Sequence, residues 1–308
     1  MKIKWQSCLF TSNIVLAIIN VCVLLCIFLE TFFRYECEPP IGNDRTIHVT
    51  AKTIQVYPFI AAFVFVLSSD IRFICASSII SKNWVLTTED CLEAGEEFEL
   101  ENKKIISNHN ELEKGIQHQV KKCIRAYEIS LDLGLVQVVE PFKARFEKLI
   151  PVAKKGYKFI PSKIVTVVSW LMTTSGFLLE PNDLKGTALR LYKYQECVNV
   201  MNRLRMNYSD LPHLDKSMVC AGPFNITEHQ DVCHFGSGSP LVDDDLLIGL
   251  VLWTPTEIKS SLNCGGYPGI YVHLWNSLQW IQKIEKKEKQ KIAFFIETPN
   301  WSRPILPD

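Results

Sequence analysis

Residues 73–91 read FICASSIISKNWVLTTEDC. It holds two short β-rich runs, Phe73–Ile80 and Trp84–Thr87, with a polar segment between them. One cysteine, Cys75, stands near its beginning and another, Cys91, at its end. Short apolar runs bounded by polar residues are typical of β-strands, so the stretch predicts two strands.

The same pattern continues on both sides of this stretch. Segments that are polar or contain glycine or proline separate the runs, and regularly spaced short strands favour an all-β sandwich or barrel. Near the C-terminus the period changes, because Leu274, Leu278, Ile281 and Ile284 are spaced as on one face of a helix. A C-terminal helix is therefore expected. The further β-rich runs are 59–67, 133–139, 164–171, 246–253 and 270–274.

An apolar run, Ile14–Leu29, follows Lys2 and Lys4 near the N-terminus. No A-x-A-like cleavage site follows it, which favours an uncleaved signal anchor over a cleaved signal peptide. The positive-inside rule then places the two lysines in the cytosol and the rest of the chain outside. We expect a single-pass type II membrane protein with an extracellular or lumenal body. A secreted protein is the alternative if the segment is cleaved.

The chain accordingly divides into five parts. We expect a cytoplasmic N-terminus, a transmembrane helix, a stalk, a folded body and a tail, at 1–13, 14–33, 34–54, 55–286 and 287–308 respectively.

The composition indicates in which compartment the protein folds and which class of partner it does not bind. Eleven cysteines in 308 residues indicate a disulfide framework outside the cytosol. Three glycosylation sequons, which begin at Asn207, Asn225 and Asn300, agree with that compartment. The formal net charge is zero, so no basic excess exists to neutralise phosphates, and a nucleic-acid partner is not expected.

Four segments, in this order, resemble motifs of the trypsin/chymotrypsin family of serine proteases. Residues 73–91 are similar to FCGGSLI…WVLTAAHC, with the same separation of the two cysteines. The resemblance covers about residues 55–285 and implies two six-stranded Greek-key β-barrels, a cleft between them that holds the active site, and a C-terminal helix. The other three segments are 132–141, similar to DIALLKL…P, 231–241, similar to DSCQGDSGGPL, and 249–281, similar to GIVSWG…C…PGVYT…WI.

The resemblance places Ser237 at the nucleophile position and Asp132 at the position of the orienting carboxylate. Asp90 stands where the family has its histidine base. An aspartate with an ordinary pKa near 3.9 is a weak base at pH 7, and beside Asp132 it meets a like charge. Loss of the base from such a unit costs on the order of 10⁶ in turnover. The sequence thus predicts an inactive triad.

Other family positions depart as well. Gly236 replaces the aspartate before the serine and residues 45–49 lack an IVGG-type site, so both partners of the activation switch are absent. Phe235 replaces the oxyanion-hole glycine, and we expect its side chain to add bulk on the leaving-group side. Leu252 and Thr254 replace the serine and glycine of the SWG segment and are expected to narrow the substrate cleft.

Asp231 and Gly269 match residues of the family's specificity pocket. Two readings of Asp231 stay open: a retained acidic pocket that holds a basic side chain, and an inherited aspartate without that role. The run Asp243–Asp245 lacks the spaced ligands of an EF-hand, so no metal is predicted, and no cofactor is expected.

The family pattern also implies a set of disulfide bonds. A fourth family pair would fall near Val165 and Asp243, and both of its cysteines are missing. Cys37 and Cys123 remain outside the family pattern, and we expect them to pair and tie the stalk to the first barrel. The implied pairs are Cys75–Cys91, Cys197–Cys220 and Cys233–Cys264.

Three functions compete at this point. The leading hypothesis is a non-catalytic binding or regulatory module whose partner is a protein or a peptide in the protease cleft. The alternative is an active or residually active trypsin-like endopeptidase that uses Ser237. A third is an adhesive or structural surface protein held at the membrane by its N-terminal helix.

Overall fold

The computed structural model of the protein describes residues 50–67, 70–126, 132–172, 183–206, 211, 213–223, 232–255 and 267–288. Within these ranges the strands, in chain order, are β1 (Thr50–Ala51), β2 (Ile60–Leu67), β3 (Asp70–Ser81), β4 (Trp84–Thr87), β5 (Lys103–Ser107), β6 (Ile116–Arg125), β7 (Gly134–Val138), β8 (Ile164–Ser169), β9 (Lys185–Leu191), β10 (Met218–Gly222), β11 (Pro240–Asp243), β12 (Leu246–Trp253) and β13 (Gly269–His273). The helices are α1 (Glu89–Ala94), α2 (Tyr194–Arg205) and α3 (Leu278–Glu288), with 3₁₀ turns at Leu100–Asn102, Leu112–Lys114 and Leu274–Asn276.

The first six-stranded unit is a closed antiparallel barrel in the order β2-β3-β4-β7-β6-β5. Its interior is filled by side chains that alternate along the strands, among them Phe63, Ile79, Val85, Ile105 and Val136. Closure of the sheet leaves no unpaired edge, and it fixes the ends of β3, β4 and β7 that lie near the candidate site.

The second unit is also a six-stranded antiparallel barrel. Its strands follow the order β9-β10-β13-β12-β11-β8, and β8 pairs back to β9 to close it. The short β1 adds to β9 outside the barrel. Apolar residues from both barrels share one further core cluster, in which Phe73 of β3 lies 6.2 Å from Trp170 between ring centroids. The barrels therefore pack against each other.

These observations confirm the predicted pair of six-stranded barrels and the predicted C-terminal helix. In α3 the side chains of Leu278, Ile281 and Ile284 are buried, as their helical spacing indicates. No helix within the described ranges is both long and apolar enough to cross a membrane. The segment predicted to do so, 14–33, lies outside those ranges, as do Cys37, Asp231, Cys264 and the sequon asparagines Asn207, Asn225 and Asn300.

Two predicted disulfides are confirmed. One joins Cys75 in β3 to Cys91 in α1, and the other joins Cys197 in α2 to Cys220 in β10. Cys233 is also disulfide-bonded.

The predicted bond between Cys37 and Cys123 is wrong, because Cys123 is a free, exposed cysteine on β6. That prediction rested on elimination alone. Two cysteines left over from a family pattern form a bond only if their Cα atoms come within about 7 Å, and the sequence carries no sign of such an approach.

A polar cluster occupies the place of the missing fourth family disulfide. Asp243 follows Val242, which pairs with Thr166 of β8, so Asp243 lies beside β8 at the end of β11. Its carboxylate accepts a hydrogen bond of 2.7 Å from the Tyr157 hydroxyl and forms an ion pair with Lys163. These contacts hold the ends of the two strands together without a covalent bond.

Candidate active site

Asp90 lies in α1, the short helix that directly follows β4. The disulfide from Cys91 to Cys75 fixes this helix against β3. The side chain of Asp90 is exposed, whereas Cys91 and Leu92 of the same helix are buried. The helix therefore presents Asp90 at the surface of the first barrel while its apolar face is held in the core.

Asp132 lies two residues before β7 and is half-buried. The chain can approach α1 closely here because residue 134 is a glycine. A Cβ atom on Gly134 would lie 2.6 Å from Cδ1 of Leu92 and 3.0 Å from the carbonyl oxygen of Thr88. Gly134 therefore allows the start of β7 to pack directly on α1, which carries Asp90.

The carboxylates at this end of the barrel repel one another. Burial raises the pKa of Asp132, and the negative charges of Asp90 and Asp215 raise it further. Partial burial likewise raises the pKa of Asp90, with the charge of Glu93 adding to the shift. The structure thus brings the two predicted triad carboxylates within electrostatic range, in an environment that disfavours their ionised forms.

The loop that carries Ser237 is anchored to the first barrel through Gly238. Gly238 has a φ of +79°, and a Cβ atom there would lie 2.2 Å from the Ala76 carbonyl oxygen and 2.5 Å from Oγ1 of Thr87. Its N–H donates to the Val251 carbonyl at 3.0 Å, which ties the loop to β12. Ser237 consequently lies at the seam of the two barrels, beside the strand that leads into α1.

In the part of the chain that the structure describes, the Ser237 hydroxyl is not paired with a general base. Among the described residues, no side chain forms a hydrogen bond with its hydroxyl. The described histidines that form side-chain hydrogen bonds make them to other groups: His109 accepts from the Glu111 N–H, His118 bonds Glu147, His273 bonds the Lys216 carbonyl, and Nδ1 of His234 bonds the Met172 carbonyl at 2.9 Å. The described contact of the His234 side chain is therefore with the backbone of segment 171–172.

Phe235 corrects one sequence-based expectation. Its side chain does not add bulk to the leaving-group side; it is 0% exposed and lies in the core of the second barrel with Leu171 and Leu241. The sequence identifies the substitution but not the side of the loop that the ring takes. A buried position is the favourable one, because full burial of a phenylalanine side chain stabilises by roughly 2–3 kcal/mol.

The region of the specificity pocket is only partly described. Gly269 lies at the start of β13, where a Cβ atom would be 3.2 Å from the ring and the hydroxyl of Tyr271 and 3.4 Å from the Trp253 carbonyl. Thr254 donates its hydroxyl to the Cys233 carbonyl at 3.2 Å. This bond joins the loop before Ser237 to the chain that leaves β12.

Sequence reasoning missed two residues of the site. Asp215 lies within electrostatic range of Asp132, and Met172 packs against Gly236. Both are far from the motifs in sequence, and no signal in the chain singles them out. In the part of the chain that the structure describes, no group of three or more His, Cys, Asp or Glu side chains could hold a metal ion.

Two closed β-barrels with a glycine-anchored serine loop at their seam define a chymotrypsin-like serine-protease fold. The sequence model of the Trypsin family matches residues 48–281, and the chain belongs to this family.

Known proteins agree with that assignment. The chain is 24% identical over 273 residues to the snake venom serine protease nikobin of Vipera nikolskii, covering 87% of this chain and 96% of that protein. It is 26% identical over 227 residues to glucanase inhibitor protein 3 of Phytophthora infestans, covering 69% and 78% respectively. Among solved structures, the scabies mite inactivated protease paralogue S-I1 matches with a TM-score of 0.58 and 21% identity, over 77% of this chain and 98% of that one.

Proposed function

We propose that this chain is a non-catalytic member of the trypsin family and acts as an extracellular binding or regulatory module. The observation that carries the proposal is Asp90 at the base position, in electrostatic range of Asp132. Catalysis by a serine hydroxyl needs a base that removes its proton and returns it to the leaving amine. A carboxylate is shorter than an imidazole and offers no second nitrogen for Asp132 to orient.

The names of two similar proteins support this use of the fold. One curated relative is named as an inhibitor protein, and one structural neighbour is named as an inactivated protease paralogue. The partner that we propose is a protein or a peptide that lies along the cleft between the barrels, since members of the family bind peptides there. The zero net charge gives no reason to add a nucleic acid.

We further propose that segment 14–33 holds the module at the outer face of a membrane. The support is the apolar run after Lys2 and Lys4 and the lack of a small-residue cleavage site. N-terminal sequencing of the mature protein tests it. An N-terminus at or near residue 1 is expected, whereas one that begins after residue 29 would show a secreted protein.

Covalent labelling tests the loss of catalysis. A fluorophosphonate probe reacts with a serine that a neighbouring base activates, so we expect no labelling of the purified full-length chain. The matched control is Ser237→Ala, which should give the same background signal. Labelling of the native chain that disappears in Ser237→Ala would show an activated nucleophile and favour the rival endopeptidase.

A further inference from the structure

A side chain at the position before Ser237 would overlap Met172. A Cβ atom on Gly236 would lie 2.6 Å from Sδ of Met172, far inside van der Waals contact. The Met172 side chain is half-buried and packs against the core cluster that both barrels share. The thioether therefore occupies the place of a Cβ atom at 236, and a larger residue there would require the Met172 side chain to move.

The backbone of the same segment is tied to the loop. Leu171 forms an antiparallel bridge with Phe235, and the Met172 N–H donates to the His234 carbonyl at 2.9 Å. The His234 side chain returns a hydrogen bond of 2.9 Å to the Met172 carbonyl. Two consecutive residues, Leu171 and Met172, thus hold three consecutive residues of the loop, 234 to 236.

The backbone N–H of Phe235 is held within the loop that carries Ser237. The Phe235 N–H donates to the Val232 carbonyl at 3.4 Å, within its own turn. In acyl transfer the N–H at this position has to point at the oxygen on which negative charge develops. Turning it toward the cleft would flip the His234–Phe235 peptide and break the hydrogen bond from the Met172 N–H to the His234 carbonyl.

We infer that Leu171 and Met172 are positioning residues that lock the Ser237 loop in a conformation without an oxyanion hole. This inference rests on the proposed non-catalytic function and deepens it, because the lock acts independently of the missing histidine. The base and the anion-binding donor are disabled by different residues, and restoring one does not restore the other.

A double-mutant cycle tests the packing part of the lock. In urea unfolding at pH 7, Gly236→Ala should destabilise the full-length chain, because the new methyl group overlaps Met172. In the Met172→Ala background the same change should be tolerated, with a coupling of about tenfold in the unfolding constant. Gly156→Ala is the matched control, since nothing lies within 4 Å of its Cβ position, and it should show no coupling to Met172. Additive effects of Gly236→Ala and Met172→Ala would overturn the inference.

Amide hydrogen exchange tests the orientation without relying on a variant that folds poorly. In the native chain the Phe235 amide should be protected, and Asp90→His should leave that protection unchanged. Met172→Ala should lower it at Phe235 more than at Gly238, whose N–H bonds Val251. Free exchange at Phe235 in the native chain would refute the lock even if the chain is inactive. Ser237-dependent turnover with a protected Phe235 would instead refute the proposed function.

Discussion

At the scale of single residues, the site keeps the family's serine and orienting aspartate at 237 and 132 but has a carboxyl at 90 where the family has its histidine. Asp90 and Asp132 both carry carboxyls whose pKa is raised, mainly by burial, and the charge of Asp90 contributes to the shift of Asp132. For an acid with a raised pKa, ionisation costs stability above the folded pKa, and that cost disappears as the pH falls to the unfolded pKa. Ionisation of these two carboxyls is therefore expected to make the folded chain less stable at neutral pH than at acidic pH.

Restoring the histidine should not restore activity. In Asp90→His an imidazole would stand beside Asp132, but the Phe235 N–H would still point to Val232. We expect turnover of a peptide ester by this variant to stay at the level of its Ser237→Ala derivative. A rise that depends on Ser237 would show that loss of the base alone silences the chain.

Gly238 should be far more sensitive to substitution than another glycine with a positive φ. Gly238→Ala would place a methyl group 2.2 Å from the Ala76 carbonyl oxygen in addition to the backbone strain, so we expect a loss of about 3 kcal/mol or more in the free energy of unfolding. Gly156 has a φ of +104° with open space around it, so Gly156→Ala should cost only about 1 kcal/mol. Chemical denaturation measures both, and equal losses would contradict the described contact.

At the scale of elements, one buried carboxylate ties the chain that leaves the first barrel to two of its strands. The side chain of Glu147 is 1% exposed and accepts hydrogen bonds from Ser107 in β5 at 2.7 Å and from His118 in β6 at 2.8 Å. It also accepts bonds from the N–H groups of Lys143 and Ala144. Burial alone would raise the pKa of Glu147, but these hydrogen bonds lower it to about 2.

The stability that Glu147 contributes should depend on pH in a defined window. Its folded pKa lies below the ordinary 4.5, so the contribution is complete above about pH 4.5 and is lost as the pH falls toward 2. We expect Glu147→Gln to cost roughly 3 kcal/mol at pH 7 and distinctly less at pH 3. Glu113→Gln, at an exposed position, is the control and should change little at either pH. Urea unfolding at the two pH values checks this, and a cost that does not change with pH would contradict it.

The elements also show what the sequence could and could not predict. The apolar runs 84–87 and 246–253 coincide with β4 and β12, because both strands are buried along nearly their whole length. Strands β5 and β6 did not stand out, since β5 begins with two lysines and the half-exposed β6 carries many polar residues. Pattern reasoning finds buried strands and misses solvated ones, whose pairing partners lie elsewhere in the chain.

At the scale of the whole molecule, the collinear motifs were sufficient to predict both barrels and the two described disulfides. They were not sufficient for the loop conformation. Whether Phe235 faces the cleft or the core depends on Leu171 and Met172, which come from a different part of the chain. Such tertiary contacts leave no local signature in one sequence.

The whole-molecule account is that a protease fold has been kept while its catalytic machinery has been replaced. The most direct test is to incubate the purified full-length chain with a broad mixture of unlabelled peptides and to identify the products by mass spectrometry. The pH is varied from about 6 to about 9, a range around the usual pKa of an imidazole base. The account predicts that the native chain and its Ser237→Ala variant give the same product profile, at the uncatalysed level. Cleavage that occurs with the native chain and is lost in Ser237→Ala would contradict it.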